Sequence, residues 1–194
     1  PANRALAFNS GIEYSLVEIN DLEDFEEKKI IVATNLLDSV VKACGIKKFE
    51  ILKTFNGAEF EGTICTHPFQ SLGFNFDVPM LDARFVTLEQ GTGIVHCAPS
   101  HGPDDFNLCL KHNIPSKYTV DNSGYYTNEI PFFSKTHVFK ADPIVIDKLK
   151  ELKKLLKNDK LQHSYPHSWR SKAPLIYRAT PQWFISMEKN SLRN

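Results

Sequence analysis

The stretch "GTGIVHCAPSHGPDDF", residues 91–106, carries the chain out of a β pattern and into a helical one. Gly91 and Gly93 break the backbone before a short apolar run that ends at Cys97. "ARFVTLEQGTGIVHCA", residues 83–98, reads as two strands joined at Glu89–Gly93. "SHGPDDFNLCLKHN", residues 100–113, then reads as a helix. Ser100 or Gly102 would cap it, Pro103 suits its first position, and Asp104 and Asp105 fall in its first turn. The strand end and helix start together hold two histidines, a cysteine and two aspartates.

Upstream, residues 4–19 read as two strands around the Asn9-Ser10-Gly11 turn, and "KKIIVAT" as a short buried strand. "NLLDSVVKACG" has helical spacing, with Asn35 as N-cap and Gly45 as its stop. "FEILKTFNGAEFEGTICTHPF" alternates around Asn56-Gly57, which predicts a hairpin. Downstream, "TVDNSGYYT" is a turn between strands. "ADPIVIDKLKELKKLLKN" predicts the longest helix, capped by Asp142, opened by Pro143 and striped by Ile144, Leu149, Leu152, Leu155 and Leu156. Strands and helices do not alternate as a doubly wound sheet requires. The expected fold is therefore α+β, a barrel-like mixed β-sheet core flanked by helices. The aromatic, basic, proline-containing tail lacks a helical period and predicts an extended ribbon over residues 163–194, after a core of residues 1–162.

The 194 residues suffice for one substantial core. With 23 basic and 23 acidic side chains the formal net charge is zero, so contact with a polyanion must come from local patches. Four cysteines without a Cys-x-x-Cys pair, and no secretory leader, point to reduced thiols in a cytoplasmic protein. No apolar run reaches membrane-spanning length. The chain opens on "PANRALAF" without a starting Met, and reads as a piece of something longer.

The chemistry of residues 91–106 narrows by spacing. His96 and Cys97 are strand neighbours and point to opposite faces, so they are a poor pair of metal ligands. No zinc-type spacing is present. Cys109 and His112 at helical spacing read as a core thiol and a surface imidazole. No Gly-x-Ser-x-Gly elbow or protease-type cysteine appears. Asp104 and Asp105 diverge on a helix and cannot form a close carboxylate pair. A ligand clamp remains: Gly91 and Gly93 permit close backbone approach, and His96 and Asp105 would face one cavity, with Asp105 an anion for an ammonium group. The plainer readings are a satisfied core histidine and helix-dipole stabilisation of about 0.3–1 kcal/mol per aspartate. Spacing alone leaves both open.

"LEQGTGIVHCAPSHGPDDF" resembles the signature of the editing domain inserted into isoleucyl-tRNA synthetase, of the class I aminoacyl-tRNA synthetases. "PANRALAF" resembles the end of the family's Thr-rich "TTTPWTLPAN" segment, and "TVDNSGYYTNEIP", "VFKADPIVIDKL" and "SYPHSWRSKAPLIYRATPQWFISM" its later blocks, the last being the ribbon that returns to the catalytic core. The resemblance covers nearly the whole chain in order. The synthetic core's His-x-Gly-His and Lys-Met-Ser-Lys-Ser signatures are absent, so amino-acid activation is not expected of this chain.

The resemblance implies hydrolysis of the ester of Val-tRNA(Ile), with valyl-adenylate as a second substrate and isoleucine excluded by size. An apolar pocket discriminates one missing methylene by only about 1–3 kcal/mol, a limit for which isoleucine against valine is the standard illustration, so a second sieve is needed. By the same resemblance Asp105 holds the substrate ammonium and His96 walls the pocket, ranked above a general-base role. Asn3 lies near the site, and Thr92 and Gly93 lie close to the terminal adenosine. The family's threonines, which bind substrate and position water, would precede this chain. Ser168 and Ser171 stand where relatives often carry cysteine, which removes the case for a metal knuckle. No metal or organic cofactor is implied; ATP serves only the absent synthetic core. Partners would be the tRNA(Ile) 3′ end carrying valine and the rest of the parent synthetase, with the chain itself monomeric. Lys148, Lys150, Lys153, Lys154, Lys157, Lys160, Arg170 and Lys172 offer phosphate contacts, although most read as a solvated face. The rival expectations are a non-catalytic tRNA 3′-end-binding module, a valyl- or leucyl-type editing domain, and a metal-dependent hydrolase.

Overall fold

The computed structural model describes residues 1–89, 91–160 and 164–189. The expected division between residues 162 and 163 lies outside them. Among the described residues seven strands and three α-helices make a mixed α+β fold: β1 (Ala5–Phe8), β2 (Glu13–Ile19), β3 (Lys29–Ala33), α1 (Leu37–Cys44), β4 (Phe49–Asn56), β5 (Ile64–Thr66), β6 (Asp77–Asp82), β7 (Val95–Cys97), α2 (Pro103–Lys111) and α3 (Ala141–Glu151). Among the described residues the strands form two sheets, ordered β5-β6-β1-β7 and β3-β2-β4, and do not close into the expected barrel.

Strand β1 is the hub. It pairs in parallel with β6, Leu6 opposite Met80, and antiparallel with β7, Leu6 opposite His96. Side chains alternate across a strand, so its two faces serve different cores. Ala5 and Ala7 meet Cys97, Leu108 and Cys109, and their small side chains let α2 lie close to the sheet. Phe8 and Leu6 face the other way, into the core shared with Tyr14, Val17, Val32, Leu37 and Val40. A third cluster, Phe69, Phe74, Ile130 and Phe133, is covered by Val145 and Leu149 of α3.

Several local expectations change for identifiable reasons. Asn56-Gly57 is not a hairpin turn, since β4 pairs with β2 and β5 with β6. A type I′ turn needs positive φ at both central residues, and Gly57 is not among the positive-φ residues. The Asn56 side chain instead accepts the Ala58 N–H at 2.9 Å. A Cβ on Gly57 would lie 2.3 Å from the Asn9 carbonyl oxygen, so this glycine serves close packing between the sheets. Of the two strands expected in residues 83–98 only β7 forms, because the chain turns at Ala83–Val86. Neither Asn35 nor Asp142 caps its helix; each helix grows out of a 3-10 turn, and that before α3 is held by His137 Nδ1 accepting the Phe139 N–H. Helix α3 stops at Glu151, and Lys153 is left-handed at φ 51°, so Leu155 and Leu156 lie beyond it.

The described tail has no α-helix, and at Ala179 it is bound back to the body. Tyr165 Oη donates to the Leu175 carbonyl at 2.8 Å, and Ala179 N donates to the Ser100 carbonyl at 2.7 Å. Beyond that contact Trp183, Phe184 and Ile185 stand in solvent.

Candidate functional site

The loop 98–102 between β7 and α2 sets the site. Cys97 points into the α2 core and is fully buried, whereas its neighbour His96 points the opposite way. The His96 ring lines a cavity of about 470 Å³ together with Ala98, His101, Tyr126, Phe139, Asp142 and Tyr177. Its volume is that of a small-molecule site. Burial holds the His96 imidazole below its ordinary value, with the nearby Asp105 carboxylate pulling the other way. As a residue His96 is nevertheless exposed to solvent, as expected at a cavity rim.

Helix α2 begins at Pro103 after Gly102, with no side-chain cap. Asp104 faces solvent. Asp105 turns back to the loop, where Oδ2 accepts the Ala98 N–H at 2.8 Å. Its Oδ1 makes no hydrogen bond among the described residues. The carboxylate therefore holds the loop with one oxygen and retains an acceptor beside His96. It also helps keep the cysteines inert. Burial first, then Asp105 and Cys109, push the Cys97 thiol up to about 12, and Cys109 is raised by burial and Asp105. Thiols so raised are not nucleophiles near neutrality.

Asn3 lies one residue before Arg4, whose N–H donates to the Cys97 carbonyl at 2.8 Å. The Asn3 Oδ1 is buried without a hydrogen-bond partner. Thr92 and Gly93 are placed elsewhere, against the three-stranded sheet. The Thr92 carbonyl accepts the Ala33 N–H, and the Gly93 carbonyl accepts the Tyr14 hydroxyl at 2.8 Å. A Cβ on Gly93 would meet that of Ala33 at 2.5 Å. Of these sequence-predicted site residues only His96 lines the cavity. Asp105, on α2, is near enough to act on the His96 charge, Asn3 lies just before the strand paired with that of His96, and Gly93 serves packing.

Sequence reasoning missed the wall opposite His96. Tyr126 and Tyr177 come from two loops and Phe139 from the 3-10 turn before α3, and no spacing announces them. Asp142 reads as a helix cap in sequence and is a cavity-lining carboxylate in the structure. His101, weighed only as a metal ligand, has both ring nitrogens hydrogen-bonded to protein. Among the described residues no three His, Cys, Asp or Glu side chains are grouped as a metal ion requires, and no helix is long and apolar enough to cross a membrane. Lys148 and Lys154 of the basic segment pair with Glu151 and with Glu26 and Glu27.

The fold has counterparts among known proteins. A family model described as "Leucyl-tRNA synthetase, editing domain" matches residues 23–158. The chain belongs to this family of aminoacyl-tRNA synthetase editing domains. The crystal structure of GlLeuRS-CP1 shares the fold at a TM-score of 0.61, covering 83% of this chain and 80% of that one at 13% identity. Within the family, the whole chain is similar to isoleucine–tRNA ligases. It is 64% identical over 193 residues to that of Pelagibacter ubique (strain HTCC1062). It is 45% identical over 193 residues to that of Haemophilus influenzae (strain 86-028NP), and 45% over 194 to that of Francisella tularensis subsp. novicida (strain U112). All of this chain is covered in each case, and it spans about a fifth of their length, 21%, 19% and 20%.

Proposed function

We propose that the chain is the proofreading unit of an isoleucine–tRNA ligase and hydrolyses the aminoacyl ester of Val-tRNA(Ile), with valyl-adenylate as a second substrate. The observation that carries this reading is the placement of His96 in the wall of a 470 Å³ cavity with the Asp105 carboxylate acting on its charge. Oδ1 of Asp105 is the acceptor for the α-ammonium of valine, through a charge-assisted hydrogen bond. His96, neutral because burial disfavours its charged form, presents an uncharged ring to the valine methyls and leaves no room for the further methylene of isoleucine. Water attacks the ester carbonyl, and hydrogen-bond donors at the developing oxyanion lower the barrier. Similarity to isoleucine–tRNA ligases along the whole chain favours valine bound to tRNA(Ile) over the substrates of a leucyl or valyl counterpart.

The test is deacylation of Val-tRNA(Ile) and Ile-tRNA(Ile) by the chain and by His96→Ala. The unmodified chain should release valine and spare isoleucine; the variant should release both. A variant that still spares isoleucine fully removes His96 from the pocket wall. Binding of the tRNA end without any ester cleavage would leave a 3′-end-binding module in place of a hydrolase.

A further inference from the structure

Residues 98–101 join the strand that carries His96 to the helix that carries Asp105, and a distant segment is bound to them. Ala179 N donates to the Ser100 carbonyl at 2.7 Å. His101 Nδ1 lies 2.7 Å from the Tyr177 carbonyl, and its Nε2 2.9 Å from Thr119 Oγ1. A carbonyl can only accept, so Nδ1 carries a proton and donates to Tyr177, while Nε2 is hydrogen-bonded to the Thr119 hydroxyl. Thr119 is 5% exposed, which anchors this side of the ring in the body. The Ser100 hydroxyl, on the same loop, donates to the Lys117 carbonyl at 2.6 Å. His101 is therefore a clasp with one nitrogen on the body and the other on the tail. Tyr177, the residue it holds, lines the cavity opposite His96, and Ile176 before it does so too.

We propose that His101 is a positioning residue of the site: by holding the tail at Tyr177 it fixes Ile176 and Tyr177 in the lining of the His96 cavity, so that substrate binding depends on how the tail is seated. This rests on the proposed hydrolytic function for its kinetic consequence and on geometry alone for the clasp. Among the described residues no hydrogen bond joins His101 to the Asp105 carboxylate or to the His96 ring. Loss of His101 should be felt in binding before chemistry. Asparagine places an amide nitrogen where Nδ1 stands, so it can restore the bond to Tyr177 while giving up Thr119.

The experiment compares the chain with His101→Phe, His101→Asn and Thr119→Val, reading amide hydrogen exchange at residues 177–180 and the KM and kcat for Val-tRNA(Ile). His101→Phe should speed exchange of the Ala179 amide by about tenfold, the loss expected of a hydrogen bond of ordinary strength. It should raise KM several-fold with kcat changed by less than about twofold, and Thr119→Val should move the same readings in the same direction by less. His101→Asn should recover most of both. Unchanged exchange in both His101→Phe and Thr119→Val overturns the clasp. Faster exchange with unaltered KM overturns its role in the site, as does a loss confined to kcat. If the unmodified chain cleaves no ester, the proposed function falls, and the exchange data alone decide the clasp.

Discussion

At the scale of single residues, Asp105 has two tasks that two substitutions can separate. Oδ2 accepts the Ala98 N–H, which ties α2 to the loop behind His96. The remaining charge is what the ammonium of an aminoacyl ester would meet. Asp105→Asn keeps an acceptor oxygen for Ala98 and removes the charge; Asp105→Ala removes both. The asparagine variant should keep its stability to within about 0.5 kcal/mol, whereas the alanine variant leaves a half-buried N–H unpaired and should lose about 1–3 kcal/mol. Both should lose most of the release of valine from Val-tRNA(Ile). Urea denaturation with parallel deacylation checks this, and an asparagine variant of near-normal rate would remove Asp105 from substrate binding. The same logic explains why Asp104, its neighbour in sequence, has no comparable place. It is turned to solvent by the helix and retains only the dipole contribution of a first-turn acid.

At the scale of elements, the loop before β7 shows what its glycines are for. Gly91 and Gly93 both have positive φ, 78° and 77°. A Cβ on Gly91 would meet nothing within 4 Å, while one on Gly93 would press on Ala33 at 2.5 Å. Gly91→Ala should therefore cost only the left-handed backbone term, about 1–2 kcal/mol. Gly93→Ala adds overpacking between two sheets and should cost about 2–5 kcal/mol in total. Thermal melts of the two variants check the ordering; equal losses would show that the Ala33 contact yields freely. The strand–turn–helix order of residues 91–106 was legible because its signals are local: strand alternation, proline at a helix start, glycine at breaks. The same alternation rule separates His96 from Cys97 in sequence and in space. The Asn56-Gly57 hairpin misled because the dipeptide's usual meaning was overridden by a contact with Asn9 and Tyr14, more than forty positions away. The helix caps at Asn35 and Asp142 misled because short 3-10 turns precede both helices. The cavity wall of Tyr126, Phe139 and Tyr177 was illegible for a related reason. It is assembled by tertiary packing of two loops and a 3-10 turn, and no periodicity encodes which segments meet.

At the scale of the whole molecule, two sheets and three hydrophobic cores make up the described fold, and the aromatic core reports on pH. His67 is 3% exposed, stacks on Phe74 at 4.7 Å and accepts the Phe69 N–H through Nδ1 at 3.0 Å. Burial first, then the amino group of Pro1 and Arg4, depress its pKa to about 4. Unfolded, the same imidazole titrates near ~6.5. Between these values the unfolded chain binds more protons, so stability rises with pH across that window. The contribution of neutral His67, on the order of 3 kcal/mol, is complete above about pH 6.5 and is lost as pH falls toward the folded value. His67→Asn, whose Oδ1 can still accept from Phe69, should be less stable near neutrality but should show a shallower acid limb. Urea midpoints measured at intervals from pH 7 to pH 4 check the slope, and parallel limbs would refute the assignment.

The hub position of β1 also has a kinetic consequence. Its partners, Met80 on one side and His96 on the other, are made long after it during synthesis. The three-stranded sheet, built from near neighbours in sequence, can form while β1 still has neither partner. The mixed sheet must then close a loop that already contains folded structure, and such non-local pairing is slow. The strand that carries His96 is the last of the described strands to emerge, so the step that finishes the sheet sets His96 in place before the later segments that line its cavity can close on it.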